Sequence, residues 1–480
     1  MFQTRVYGEP LLEFSSGGQH IDPRFGLATH GPLQAIPGDT VRVGVIGTGE
    51  TVDGFEGFLA RCAAGIEAKK SPLANLAPAF PGMGNRNPFR CEFVTDASLQ
   101  RRVPKADIRA ALASGSPPKV IHAAADLLYE QARSLLVGTA RPDVVVAALP
   151  LDLVEAVVNA RAQGTAPADD EDDDDGSLDF RDLFKARALL LRTPTQIVWP
   201  TVWDDAVRIP RKLKATLRTV QDPATRAWHL LNAVFYKVGK APWRLPVPEG
   251  AYKASYLGIG FYRELDGKRL LTSTAQMFDE RGRGLVLRGA RANTDKGDRH
   301  PYLARADAYD LVRRSVQAYR REHQHAPARL VILKTSRFQP AEAEGMLEAA
   351  RELDIPQNDL VWVSESTHQT FFREGDYPPL RGSAVQLGTD LLLFTRGSVP
   401  YYGTYPGMRM PRPLLLRPHA CDTAIGDLGG EVLALTKMNW NSTQFDQRLP
   451  IPIRAARQVG RVLKYVSPSI IEQSDYRYYI

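Results

Sequence analysis

The 480-residue sequence predicts an α/β fold in two domains, a doubly wound parallel sheet followed by a sheet that starts with antiparallel strands. Apolar β-branched runs alternate with helical patterns up to about residue 245, which is typical of a parallel sheet. After Pro242, Pro246 and Pro248, three strand-like runs follow one another with only short turns between them, which indicates an antiparallel meander. The length also favours two domains, because a single core stops growing well before this size.

The first domain is predicted to be Rossmann-like and to cover residues 41–248. Residues 1–40 are predicted to be a lead-in of short strands and turns, since the stretch from Asp22 to Leu33 is interrupted by glycine and proline. The predicted elements of the domain are a strand in Val41 to Glu50, a helix with Phe55, Phe58, Leu59 and Cys62 on one face, a helix from Val120 to Leu136, a strand from Asp143 to Pro150, a helix from Asp179 to Leu191, a strand from Thr195 to Trp199 and a helix from Arg226 to Gly239.

The second domain is predicted over residues 249–480. Its predicted elements are three strands between Tyr256 and Arg291, a helix containing Leu311, Val312, Val316 and Tyr319, a strand from Arg329 to Lys334, a helix from Pro340 to Leu353, a strand at LVWVSES, a β-rich stretch and a helix from Arg454 to Tyr465. Three antiparallel strands, a helix and then a further strand form the order of an RNase H-like fold.

Charge is distributed unevenly along the chain. The sequence has 61 Lys and Arg against 54 Asp and Glu, a net charge of +7. The run DDEDDDD at Asp169 to Asp175 carries −7 of this, so the remainder carries +14. We predict that residues 164–177 are a solvated loop inserted in the first domain. The basic remainder favours a polyanionic partner, although an ordinary basic excess is the alternative.

Cysteine usage and hydropathy predict a cytoplasmic protein. Cys62, Cys91 and Cys421 are far apart and lack the spacing of a disulfide framework or a zinc site. No run of 18 apolar residues is present, and the first residues lack the apolar segment of a signal peptide.

Two groups of residues are candidates for binding phosphate. Gly47 and Gly49 follow the first predicted strand and begin a dinucleotide-type glycine pattern, but Val52 stands at the third glycine position. These glycines are therefore interpreted as a tight strand-to-helix turn, and a Rossmann-type nucleotide-binding enzyme is kept as an alternative.

The second group is Arg181, Lys185, Gln196 and Lys237. Arg181 and Lys185 share a helix face, Gln196 begins the next strand, and Lys237 ends the following helix. We expect them to converge at the carboxyl edge of the sheet as an anion pocket.

Longer strings in this region resemble a known family. FRDLFKARALLLRTPTQIVW and AVFYKVGKAPWRL look like the MID domain of prokaryotic Argonautes. YLGIGFYRE, VILKTSRF, LTKMNWNSTQFDQRLPIPIRAARQVG and DYRYYI resemble the PIWI domain and the chain end of short Argonautes. From these strings the chain is identified as resembling a short prokaryotic Argonaute, with MID and PIWI domains only.

The resemblance implies roles for the second group. Lys185, Gln196 and Lys237 fall on positions that hold the 5′ phosphate of a guide strand, and Arg181 stands where the family usually has Tyr or His. It also implies Mg²⁺ beside that phosphate, held by the terminal carboxylate of Ile480 and by Gln196, as a cation between anionic oxygens would offset their repulsion.

The resemblance further implies that the PIWI domain is catalytically inactive. Gly260 and Thr335 stand at two positions where active relatives have carboxylates, which two-metal cleavage requires. We therefore predict no enzyme activity, with an active guide-directed nuclease as the alternative. The cations Arg281, Arg283, Arg288 and Arg313, with Arg291, Arg314, Arg320 and Arg321 nearby, are predicted to line a guide–target duplex.

The resemblance implies a guide RNA, a complementary single-stranded DNA target and a partner protein. In this family the partner carries an APAZ region and a TIR or sirtuin-like effector domain, and forms a heterodimer with the short Argonaute. Target recognition would then activate NAD depletion by the partner, as defence against plasmids or phage.

Overall fold

The computed structural model describes the chain except residues 1, 37, 72, 74, 163–177, 208–220, 248–253, 266–268, 279–283, 296, 298–299, 366, 368, 406–409 and 468–473. Three predictions lie outside the described residues: the acidic loop with its run at 169–175, the domain boundary at 248, and the duplex contacts of Arg281 and Arg283. Within the described part of the chain, no helix is both long and apolar enough to cross a membrane.

The strands of the described residues are β1 (Gln3–Val6), β2 (Leu12–Glu13), β3 (Gln19–His20), β4 (Asp39–Gly47), β5 (Cys91–Val94), β6 (Gln100–Arg102), β7 (Val144–Ala148), β8 (Thr195–Val198), β9 (Ala254–Arg263), β10 (Leu270–Phe278), β11 (Gly284–Arg291), β12 (Arg329–Lys334), β13 (Gln357–Ser364), β14 (Ser383–Leu387), β15 (Asp390–Leu393) and β16 (Leu414–Cys421). The helices are α1 (Pro23–His30), α2 (Gly49–Ala64), α3 (Lys105–Leu112), α4 (Pro117–Val137), α5 (Leu151–Ala162), α6 (Phe180–Ala188), α7 (Pro223–Lys237), α8 (Arg305–His323), α9 (Pro340–Glu352), α10 (Ile425–Leu435) and α11 (Ile451–Leu463).

The first sheet is parallel, with the strand order β5-β4-β7-β8, and β6 also pairs with β4. Successive residues of β4 point to opposite faces of the sheet. Val43 and Val45 pack in a cluster with residues of α2 and α7, whereas Ile46 packs with residues of α4, α5 and α6. Helices therefore cover both faces, and the predicted doubly wound α/β fold is confirmed.

The second sheet has nine described strands in the order β1-β14-β15-β16-β13-β12-β9-β10-β11. Strands β9, β10 and β11 are antiparallel neighbours, as the meander predicts, and β12 lies parallel between β9 and β13. Helices α8 and α9 pack on one face, and α10 and α11 pack on the other. The predicted RNase H-like strand order is present, but α10 was not predicted inside the β-rich stretch.

The lead-in differs from its prediction in two ways. Residues Pro23–His30 form helix α1, so the prediction of only strands and turns is wrong there. The Asp22 carboxylate accepts hydrogen bonds from the first backbone N–H groups, Pro23 begins the helix, and Gly31 ends it with a φ of 79°. In addition, strand β1 of the lead-in belongs to the second sheet, where it pairs antiparallel with β14 at the outer edge.

Candidate anion-binding site

The candidate site lies where α6, α7 and β8 of the first domain meet the last residues of the chain. One continuous hydrophobic cluster extends from α7 to α11, so the two domains pack directly against each other here. A 3-10 helix, Leu189–Leu191, connects α6 to β8, and the hydrogen bond from Lys185 to Thr195 places the Lys185 ammonium at the first residue of β8. The site is therefore at the amino end of β8, and the predicted position at the carboxyl edge of the sheet is wrong.

Lys185 lies on α6 and is fully buried. Its Nζ donates hydrogen bonds to the main-chain oxygens of Thr195 and Ile480. Burial lowers the pKa of Lys185 well below its usual value, and the nearby charges of Lys237 and Arg181 lower it further. Lys185 is thus a buried amine held between two main-chain oxygens and close to two other cations.

Lys237 is the last residue of α7 and is also fully buried. Its Nζ donates a hydrogen bond of 3.1 Å to Oδ1 of Asn441. Burial lowers its pKa well below the usual value, and Arg181 adds to this effect. The two predicted lysines therefore lie within electrostatic reach of each other, although they come from helices that are separate in sequence.

Arg181 lies at the edge of the site and is only half-buried. Its guanidinium forms an ion pair of 2.7 Å with Asp182, and Nη2 is 3.5 Å from the main-chain oxygen of Tyr479. Burial and the neighbouring Asp179 raise the pKa of Asp182, while Arg181 opposes this rise. Part of the charge of Arg181 is consequently compensated within the protein.

The charge of the two lysines is not compensated in the same way. Among the described residues, neither Lys185 nor Lys237 forms an ion pair with an aspartate or glutamate side chain. A buried ammonium group is costly unless its charge is compensated, and apart from the Ile480 oxygen the acceptors of these lysines are uncharged. Two adjacent buried lysines therefore make a site that is complementary to an anion.

Gln196 is near this site, but its side chain has another partner. Its Nε2 donates a 2.8 Å hydrogen bond to the main-chain oxygen of Ile197. The described contacts do not join its amide to either lysine, so the structure brings together only part of the predicted group.

The residues of the site do not by themselves fit a divalent cation. The ammonium of Lys185 already contacts the oxygen of Ile480 that was predicted to hold Mg²⁺. Mg²⁺ is usually held by carboxylates, phosphates and waters. In the described part of the chain, no group of three or more His, Cys, Asp or Glu side chains is placed to hold a metal ion.

Asn441 is a site residue that the sequence-based reasoning missed. It follows α10 in the segment Thr436 to Asn441, which crosses to α7 of the first domain. Asn232 donates a 2.6 Å hydrogen bond to the main-chain oxygen of Trp440, and the Trp440 ring packs on Tyr236 with a centroid distance of 5.0 Å. These contacts fix the segment next to Lys237. The string LTKMNWNSTQ resembles the family in this region, but nothing in its spacing distinguishes Asn441 from the other asparagine, Asn439.

Described arginines predicted to line a duplex have partners inside the protein. Arg288 donates to the main-chain oxygens of Leu463 and Val466 at the end of α11. Arg313 pairs with Asp310 on the same helix. Their contacts with nucleic acid stay predictions.

Gly260 lies in β9, and Thr335 is the first residue after the neighbouring strand β12. Ile259 of β9 pairs with Lys334 of β12 in a parallel register. The residues that follow them, Gly260 and Thr335, are therefore next to each other. Neither residue has a carboxylate.

Gly47 has a packing role, since a Cβ there would overlap Thr51 and the main-chain oxygen of Ala148. β4 ends at Gly47 and α2 begins at Gly49, so the two glycines stand at a tight strand-to-helix turn, as predicted.

No family model matches the chain. It is 27% identical over 293 residues to the protein argonaute of Thermus thermophilus, and this match covers 58% of the chain and 39% of that protein. Its fold is similar to that of Clostridium butyricum Argonaute bound to a guide DNA and a 19-mer target DNA, with a TM-score of 0.65, 15% identity and coverage of 98% of this chain and 54% of that one. It is also similar to Aa-Ago with externally bound siRNA, with a TM-score of 0.60, 14% identity and coverage of 99% and 56%. The chain thus spans 39% of the curated relative and little more than half of these solved structures.

Proposed function

We propose that this chain, which is Argonaute-like in sequence and in fold, binds a short guide strand by its 5′ phosphate and uses it to recognise a complementary strand. The observation that carries the proposal is the pair of buried lysines, Lys185 and Lys237, which lie within electrostatic reach of each other and form no ion pair with an aspartate or glutamate side chain among the described residues. The anion proposed to occupy the site between these lysines is the 5′ phosphate of the guide.

A phosphate at this site would accept hydrogen bonds from both ammonium groups. Its charge favours the protonated form of each lysine and so offsets the lowering of their pKa values. A hydrogen bond to a charged group contributes about 1.5–3 kcal/mol. The half-buried Arg181 lies at the edge of the site and would be a third cationic donor to the same 5′ phosphate.

The finer proposal follows the family resemblance. The guide is RNA, the target is single-stranded DNA, and the chain is of the short type that acts with an APAZ-containing partner carrying a TIR or sirtuin-like domain. Activation of that partner depletes NAD as a defence. A cytoplasmic location is supported by Cys62, Cys91 and Cys421, all of which are free.

Loss of nuclease activity belongs to the same proposal. Gly260 and Thr335 are at adjacent positions of β9 and just beyond β12, where the resemblance requires two metal-binding carboxylates. Mg²⁺ beside the guide phosphate stays a prediction, and oxygens of the guide would have to supply most of its ligands.

The experiment compares guides that differ only at the 5′ end. The dissociation constants of a 5′-phosphorylated and a 5′-hydroxyl RNA of identical sequence are measured for the wild type and for Lys185→Ala/Lys237→Ala. We expect the wild type to prefer the phosphorylated guide by about tenfold or more. The variant should lose this preference.

Lys105→Ala is the matched control, because Lys105 is an exposed lysine paired with Glu50. It should retain the preference of the wild type. An unchanged preference in the double variant would overturn the assignment of the site.

A further inference from the structure

We infer that Glu9, in the lead-in, is a positioning residue for the phosphate site and acts through Lys437 and Asn441. The inference rests on the proposed function, since it concerns the residues that hold one of the two lysines in place.

Glu9 is the centre of a buried charge cluster between the lead-in and the second domain. Its carboxylate is 2.8 Å from Nζ of Lys437 and 3.0 Å from Nε of Arg381, and both cationic side chains are fully buried. Burial opposes ionisation of Glu9, yet the two cations hold its pKa below the usual value. The cluster is therefore a charged one, with Glu9 as the carboxylate between both cations.

The ammonium group of Lys437 is held by residues of the lead-in. This group has three donors. They are directed to the carboxylate of Glu9 and, at 2.6 Å each, to the main-chain oxygens of Pro10 and Ile21. The main-chain oxygen of Lys437 accepts a 3.2 Å hydrogen bond from Trp243 Nε1. Both ends of this residue are thus fixed.

Lys437 lies four residues before Asn441, in the segment Thr436 to Asn441. The far end of the segment is where Asn441 accepts the hydrogen bond of Lys237. The segment has two anchors, Glu9 at Lys437 and the contacts of Trp440 with Asn232 and Tyr236, and together they set the position of the Asn441 amide. Hydrogen bonds weaken steeply with distance and angle, so loss of the anchor at Glu9 would weaken the hydrogen bond that orients the Lys237 ammonium.

A double-mutant cycle separates this role from a general effect on stability. The measured quantity is the ratio of dissociation constants for the 5′-hydroxyl and 5′-phosphorylated guides, in Glu9→Gln, Asn441→Ala and the double variant. We expect Glu9→Gln to lower the ratio by roughly threefold to tenfold, the effect of one hydrogen bond. The double variant should show no greater loss than Asn441→Ala alone, because coupled residues are not additive.

Glu431→Gln is the control. It removes a partly buried ion pair with Arg329 in the same domain, and it should leave the ratio unchanged. A loss of folded protein reduces binding of both guides equally and does not alter the ratio. If Glu9→Gln does not fold, Glu9→Asp keeps the charge and shortens the side chain, and it should lower the ratio in the same direction.

An unchanged ratio in folded Glu9→Gln, or in Glu9→Asp if it is used, would overturn the inference, as would additive effects in the cycle. If the wild type itself shows no preference for the phosphorylated guide, the proposed function fails instead.

Discussion

At the residue scale, Lys185 and Lys237 place two amines in the interior, where burial disfavours their charged form. Burial, then neighbouring cations, lower the pKa of each lysine from its usual 10.5. Between the lowered native pKa and 10.5, the unfolded chain binds protons that the native protein has lost. The free energy of unfolding contributed by these groups therefore rises with pH across that window.

A pH series tests this sign. We expect Lys237→Met, without guide, to be more stable than the wild type, and the difference in free energy of unfolding should be largest at the lowest pH of the series. The part due to the lysine charge should shrink as the pH rises from the lowered native pKa toward 10.5, and it vanishes only well above 10.5, where the lysine is neutral in the unfolded chain as well. Urea unfolding of both proteins between about pH 7 and pH 10 measures it.

Lys105→Met removes an exposed lysine and serves as the control in that series. Its stability relative to the wild type should change little with pH over the same range. A pH-independent difference for Lys237→Met would contradict the assignment of a buried, depressed amine.

The sequence predicts the two lysines of the site but not what holds them. Lys185 and Lys237 could be found because they fall within strings that resemble the family. Asn441 and Glu9 act through contacts between segments that are distant along the chain, for which the sequence has no local signal. The direction of the Gln196 amide depends on a side-chain rotamer, which spacing does not determine.

At the element scale, the position of α11 against β9 depends on one glycine. Gly258 lies in β9, and a Cβ on it would overlap the carbonyl group of Pro452 in the first turn of α11. The obstructing atoms are backbone, which cannot move aside as a flexible side chain can. This close approach explains why the helix packs directly onto the sheet.

Gly258→Ala should therefore destabilise the protein. We expect a loss of about 1–3 kcal/mol in the free energy of unfolding, the usual cost of overpacking. Chemical denaturation measures this change.

Gly57→Ala is the matched control, as Gly57 lies on the exposed side of α2 with no atom near the position of a Cβ. Alanine there should be neutral or stabilising, since it favours the helix more than glycine does. Equal effects of the two substitutions would show that the contact with Pro452 does not matter.

The elements that the sequence predicts well have one property in common. Strands such as β7 and β12 are fully buried and have continuous apolar centres, and the structure places them within a few residues of the prediction. Helix α1 was missed because its glycines and prolines resemble those of a loop, although Pro23 begins the helix and Gly31 ends it.

At the scale of the whole molecule, the second sheet retains an RNase H-like order, with Gly260 and Thr335 adjacent where the resemblance requires carboxylates. We expect the purified chain loaded with guide not to cleave a complementary DNA or RNA target in the presence of Mg²⁺ or Mn²⁺. Denaturing electrophoresis of an end-labelled target measures cleavage, and a native gel of the same mixture verifies that the target is bound. Guide-dependent cleavage products would favour the active nuclease instead.

The order of the meander could be predicted from the sequence, whereas the place of β1 could not. Gln3 pairs with Gln386, and all four residues of β1 are exposed, so neither periodicity nor apolar content marks this pairing. Long-range strand pairing has no local sequence signature.

That pairing has a consequence for how the protein is made. β1 precedes the whole first domain and the meander in the chain, so it leaves the ribosome well before β14. At ~5–20 residues per second, the first strand waits for about 20–75 s without its partner. An unpaired strand of this kind can pair with a strand of another chain before its own partner is made. The second domain can therefore complete its sheet only after β14 has been synthesised. The first domain can form its sheet earlier, while the second domain is still being synthesised.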